Sequence, residues 1–177
     1  MKDNKGYSTL ENNAEAKGTD IVVYNAESGT RNVLVNAKQL IPAGTNKPLS
    51  IANYIWSDDN SKLLVFTNTR KVWRQNSRGD YWVLNLANGQ LTQLGKGLEE
   101  ATLMFAKFSP DGARVAYVSK LNIYVEDIAS GKTTQLTKDG GSNIINGTFD
   151  WVYEEELDDR DGFRWSPDGK NIAYWQS

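Results

Sequence analysis

The chain has 177 residues, enough for one ordinary domain, with 39% apolar and 24% charged residues, as expected of a globular protein. Its formal net charge of −2 gives no overall attraction to nucleic acid or anionic lipid. There is no cysteine and no histidine, which excludes disulfides, thiolate metal sites and any Ser-His-Asp or Cys-His catalytic engine within these residues.

The start, "MKDNKGYSTLENN", lacks the apolar stretch of a signal peptide. No run approaches the roughly 18 apolar residues of a membrane span. "TLENNAEAKGT" is polar and reads as a loop or frayed end. The first element is then "DIVVYNAESGTRNVLV", two alternating strands joined at Ser28-Gly29.

Similar hairpins recur as "DYWVLNLANGQLTQL" around Asn88-Gly89 and "NIYVEDIASGKTTQLT" around Ser130-Gly131. Between them runs a second repeated element. "YIWSDDNSKLLVFTN", "FAKFSPDGARVAYVSK" and "GFRWSPDGKNIAYWQ" each set an aromatic residue and a serine before a turn and a short β-prone strand. Pro presets φ and Gly accepts a positive φ in the turns at Ser109–Gly112 and Ser166–Gly169. Ser57–Asn60 is a degenerate copy.

Joining the two elements gives four-stranded antiparallel units of roughly 40–60 residues, the size of a propeller blade. Two complete units fall near 51–95 and 103–137, preceded by the last hairpin of another (Asp20–Val35) and followed by the beginning of a fourth from Phe163. The expected fold is all-β: residues 1–177 form a partial β-propeller of about three blades, too few to close a ring of typically 4 to 8. A self-contained β-sandwich is the competing architecture.

Two insertions interrupt the repeat. One is basic, "NTRKVWRQNSRGD" (Asn68–Asp80), and one is acidic, "GGSNIINGTFDWVYEEELDDRD" (Gly140–Asp161). In the acidic one, Asp150 is placed to cap a short helix running to about Leu157, with Trp151 and Tyr153 anchoring it in the core. Glu155 and Glu156 lie about 100° apart on such a helix and share part of one side. They read either as a solvated charge run or as an ammonium clamp, since two fixed carboxylates suit the three N–H donors of a free peptide N-terminus. Arg74, beside Trp73, presents a fork of donors suited to a carbonyl or carboxylate, unless it pairs with Asp80.

Weaker signals are "DDRD" (Asp158–Asp161), acidic but without the EF-hand spacing, and the sequon Asn146-Gly147-Thr148, read as coincidental. "RKVWR" is a weak basic-aromatic pattern, and no nucleic-acid partner is expected.

"DWVYEEE" followed by "WSPDG…IAYWQ" resembles the dipeptidyl peptidase IV family of prolyl oligopeptidase-like serine peptidases, in the wording of its bacterial members. "VWRQNSRGDYWVLNL" is similar to that family's arginine-bearing strand. The resemblance runs over most of the chain from about Thr19. It implies an eight-bladed N-terminal propeller and a C-terminal α/β-hydrolase domain, in an enzyme that releases Xaa-Pro or Xaa-Ala dipeptides from peptide N-termini. By the resemblance, Glu155 and Glu156 hold the substrate ammonium and Arg74 orients its carbonyl. Glu154 is not carried over as a ligand.

It also implies a periplasmic, cell-surface or secreted parent protein. The partners would be peptides with a free N-terminus and the hydrolase domain of the same protein, with room for a homodimer at full length. The chain carries no G-x-S-x-G elbow, so it contributes no catalytic residue, and neither cofactor nor metal is expected. A non-catalytic propeller of the periplasmic TolB type, which also repeats "SPDG" turns, is the alternative.

Overall fold

A computed structural model describes residues 6–177. The start of the chain, read above as lacking a signal peptide, lies partly outside the described residues.

Strands β1 (Gly6–Asn13), β2 (Gly18–Asn25) and β3 (Arg31–Val35) form one antiparallel sheet. Strands β4 (Asn53–Trp56), β5 (Lys62–Val72), β6 (Gln75–Asn85) and β7 (Leu91–Gln93) form the first complete blade. Strands β8 (Leu103–Phe108), β9 (Arg114–Ser119), β10 (Asn122–Asp127) and β11 (Thr133–Gln135) form the second. A six-residue helix, α1 (Trp151–Glu156), precedes the hairpin of β12 (Phe163–Trp165) and β13 (Ile172–Tyr174). The architecture is all-β and propeller-like.

The expectation for "TLENNAEAKGT" is corrected. Thr9–Asn13 belongs to β1, which pairs along its whole length with β2. Its composition is polar because the strand is only half-buried. Glu11 accepts bonds from Tyr24 and Arg31 across the sheet, and Ser8 bonds the Tyr54 hydroxyl.

The turns repeat atom for atom. Ser57, Ser109 and Ser166 each donate Oγ–H to the aspartate two residues on and accept the backbone N–H five residues on. The turn at Ser57–Asn60, read as degenerate, makes the same bonds. Its Asn60 takes φ +58°, where Gly112 has +64° and Gly169 +66°. Asparagine is among the few side chains that occupy this region readily.

The cores lie between successive blades, because the middle strands are buried on both faces. In β5, Leu63 and Val65 pack with Ile21, Val35 and Leu40, while Leu64 faces Tyr81, Leu103 and Tyr117. In β9, Val115 and Tyr117 face that second core. Ala116 and Val118 face a third, with Met104, Ile123 and Phe163. Period-two alternation thus supplies two interfaces from one strand.

The basic insertion is a continuation of β5 and β6 beyond the blade, with register shifts after Thr67 and Arg70. The lower end of this extension pairs with β8 at Arg78–Met104 and Gly79–Leu103, joining two blades into one eight-stranded sheet. Gly79 is required there. A Cβ would lie 2.5 Å from the Phe66 ring and 2.6 Å from the Thr67 carbonyl oxygen.

Among the described residues, no helix is long and apolar enough to cross a membrane.

Candidate functional site

Asp150 is the N-cap of α1, as expected, and its carboxylate accepts the backbone N–H of Tyr153 at 3.1 Å. A helix of six residues does not hold itself in water. Its anchorage is aromatic: the Tyr153 ring stacks on Phe149 at 5.3 Å and meets Trp175, at the end of the β12–β13 hairpin, at 5.7 Å. Trp151 does not share this role. It is about half exposed, because the helix turns its side chain away from the ring cluster that holds Tyr153.

The segment before the helix is stitched to neighbouring strands. Gly147 donates to the Trp175 carbonyl, and Gly162 donates to the Gly147 carbonyl. Asn146, the sequon residue, is fully buried, and its side-chain amide donates to Leu121 O and Asp139. Its side-chain oxygen accepts from Gln176, just past the β12–β13 hairpin, so the asparagine links the second blade to that hairpin.

The three glutamates have three different environments. Glu154 is buried, and its Oε1 lies 3.4 Å from Nε of Arg160. Burial is the main cause that raises its pKa, the Glu155 charge adds to the rise, and Arg160 opposes it. Glu155 is covered, with 3% of its side chain exposed, and its Oε2 sits 2.5 Å from Nε of Arg74. Its other oxygen is buried and has no hydrogen-bond partner among the described residues. Glu156 is exposed.

Arg74 stands at the tip of the β5–β6 extension, after Trp73 in a left-handed conformation at φ +48°. It is 77% exposed apart from its contact with Glu155. The alternative pairing with Asp80 is not formed. Asp80 accepts the Ala101 N–H and the Asn68 amide instead.

Of the three residues singled out from sequence, the structure thus brings Arg74 and Glu155 together, from insertions 81 positions apart. It leaves Glu156 at the solvent face of the same helix. A cavity of about 390 Å³ opens alongside, walled by Asn53, Phe66, Gln75, Ser77, Phe105 and Arg160.

Two of the three aspartates in the acidic run after the helix pair with cations. Asp158 pairs with Arg160, and Asp161 pairs with Lys107 and Arg164. Lys107 also lies 3.6 Å over the Phe163 ring. Sequence reasoning missed both Arg160 and Lys107. The signal for Arg160 was its position as the only cation within "EEELDDRD". Lys107 gave none, since it reads as an outward residue of an alternating strand.

A family profile described as "Dipeptidyl peptidase IV (DPP IV) N-terminal region" matches residues 57–177. The chain belongs to the dipeptidyl peptidase IV family. Among curated relatives, it is 34% identical to "Dipeptidyl peptidase 4" of Trichophyton rubrum over 81% of the chain and 18% of that protein. It is 31% identical to "Probable dipeptidyl-aminopeptidase B" of Aspergillus oryzae over 97% of the chain and 18% of that protein. The crystal structure of Porphyromonas gingivalis dipeptidyl peptidase 4 superposes with a TM-score of 0.83 at 30% identity, covering all of this chain and 24% of that one.

The tricorn protease shares the fold alone, at a TM-score of 0.56 and 14% identity over 97% of this chain and 14% of that one. The chain therefore spans about a fifth of the length of the curated dipeptidyl peptidase relatives it matches. Of the two readings raised by the repeats, family membership supports the peptidase over the TolB-type scaffold.

Proposed function

We propose that this chain is the N-terminal propeller portion of an exported serine exopeptidase that releases Xaa-Pro or Xaa-Ala dipeptides. In this reading, a separate α/β-hydrolase domain of the same protein supplies the nucleophile. The propeller portion admits the peptide and holds its α-ammonium between Glu155 and Glu156, while Arg74 takes the substrate carbonyl.

The observation that carries this reading is Glu155: a covered carboxylate with one oxygen on an arginine and one without a donor. A buried acceptor left unpaired is costly, and an ammonium brings the missing donors together with the compensating charge. Arg74 serves as the counter-ion of Glu155 until substrate arrives. Being largely exposed on a long side chain, it can then swing to the carbonyl.

An internal peptide bond has no charge to offer this site. The distance from ammonium to nucleophile therefore fixes the length of the product at two residues.

The test is steady-state kinetics of the full-length enzyme on an Xaa-Pro amide and its N-acetylated form. Glu155→Gln and Glu156→Gln are expected to raise KM for the free amine by roughly tenfold or more, with a smaller change in kcat. Unchanged kcat/KM in both variants, or equal turnover of the acetylated substrate, overturns the reading.

A further inference from the structure

Glu154 has no role in substrate binding on the reading above, yet it is the most deeply buried of the three glutamates. The residue that answers it is Arg160, which returns from the loop after α1. Its Nε faces Glu154 Oε1 at 3.4 Å, its Nη2 donates to the Glu154 backbone carbonyl at 3.4 Å, and its Nη1 donates to the Asp158 carboxylate and, at 3.3 Å, to the Asp158 carbonyl.

The last turn of α1 contains no basic residue. Helix ends leave carbonyls unsatisfied and favour a cation. Arg160 supplies that cation from outside the helix while neutralising the carboxylate buried beneath it. Its side chain also forms part of the cavity wall next to the Arg74 strand.

We propose that Arg160 is a positioning residue for the ammonium site: it neutralises Glu154 and closes the carbonyl end of α1, so that Glu155 and Glu156 keep the pose in which they receive the amine. This rests on the clamp reading and names a residue outside it. Without Arg160, Glu154 is a buried charge beside a second carboxylate. The helix then has to move to hydrate it, and Glu155 shifts from Arg74.

The charged groups around Glu154 are Arg160, Glu155 with its partner Arg74, and Asp158 through Arg160. Of these, only Arg160 directly favours the ionised form of Glu154 at contact distance. The defect of an Arg160 variant therefore grows with pH, as ionisation of Glu154 is forced.

The experiment measures KM and kcat of the full-length enzyme on a free-amine Xaa-Pro substrate from pH 5.5 to 8, for R160Q, R160K, E154Q/R160Q and E155Q. R160Q is expected to raise KM about tenfold at pH 8, by a smaller factor at pH 5.5, with kcat within about threefold, because removing one partner strands the other's charge. E154Q/R160Q, with both charges removed, should return KM to the wild-type value, clearly below that of R160K, and lose the pH trend.

R160K keeps the charge but loses the fork that reaches both Glu154 and Asp158, so KM should rise about threefold. It decides the matter if R160Q does not fold. If E155Q raises KM while R160Q, or R160K in its place, does not, the inference about Arg160 is overturned and the clamp stands. If E155Q also leaves KM unchanged, it is the clamp reading itself that fails.

Discussion

The blades and the two insertions solve opposite problems with the same chain. In the blades, β5 and β9 bury apolar side chains on both faces, and each serine–aspartate turn satisfies its own polar groups. Around α1, buried groups are charged: Glu154 Oε1 and Arg160 Nε face each other at 3.4 Å, and Glu155 Oε1 has no hydrogen-bond partner among the described residues. Buried polar groups are normally paired, and exceptions concentrate where a site is held ready for something else. The blades supply the rigidity that lets the insertions keep such groups in place.

The sharpest way to break this contrast is at the blade interface. Tyr117 is fully buried, stacks on Tyr124 at 5.8 Å and donates its hydroxyl to Glu126, which also accepts the Gly95 N–H. Tyr117→Ala removes the ring and leaves Glu126 without one of its donors. A loss of about 3–5 kcal/mol is expected, read as a lower urea midpoint. Tyr117→Phe keeps the packing and should cost only about 1–2 kcal/mol. Equal losses would mean that the hydroxyl, not the ring, holds the blades together.

The two regions also differ in how much of them was legible. The blades were readable because the period-two pattern and the turn residues act locally. The bonds of Ser109 and Asp111 lie within six residues, and the same Ser-x-Asp spacing recurs at Ser57 and Ser166. The first strand escaped notice because β1 needs partners in β2 and at Tyr54, and nothing in "YSTLENN" alternates cleanly.

In the site, the cap at Asp150 was anticipated, whereas the pairing of Arg74 with Glu155 was not: the sequence offered Asp80 as the partner of that arginine. The choice among Glu154, Glu155 and Glu156 was not open to spacing alone. Which carboxylate is covered depends on where Arg74 and Arg160 arrive from, and those approaches are set by the β5–β6 extension and the post-helix loop.

The seam between the regions is Lys107, in a blade strand but paired with Asp161 of the acidic insertion. Burial pushes its pKa down from 10.5 to about 8, while Asp161 pulls it upward and Arg164 lowers it further. From pH 8 to 10.5 the unfolded chain keeps this proton and the folded one has lost it, so folding stability from this group rises with pH across that window. The rise is on the order of 2–3 kcal/mol. Lys107→Met should flatten this part of the stability–pH curve, measured by urea unfolding at pH 7, 8, 9 and 10. A wild-type curve that already falls between pH 8 and 10 would show that the pair with Asp161 outweighs the burial of the charge.

The smallest effect sharpens the contrast from the other side. Asp150→Ala removes the cap of α1, and cap losses amount to about 1 kcal/mol. In a blade that amount would appear only as a slightly lower midpoint. At α1 the freed Tyr153 N–H loosens the first turn, and Glu154 sits in that turn. On the proposed function, the expected signature is therefore a change of only about 1 kcal/mol in stability together with a severalfold rise in KM for free-amine substrates in the full-length enzyme. Asp150→Asn, which can still accept the Tyr153 N–H, should restore most of both. If D150A lowers stability by that amount and leaves KM untouched, the first turn is not what orients the glutamates, and the anchorage by Phe149 and Trp175 is sufficient without it.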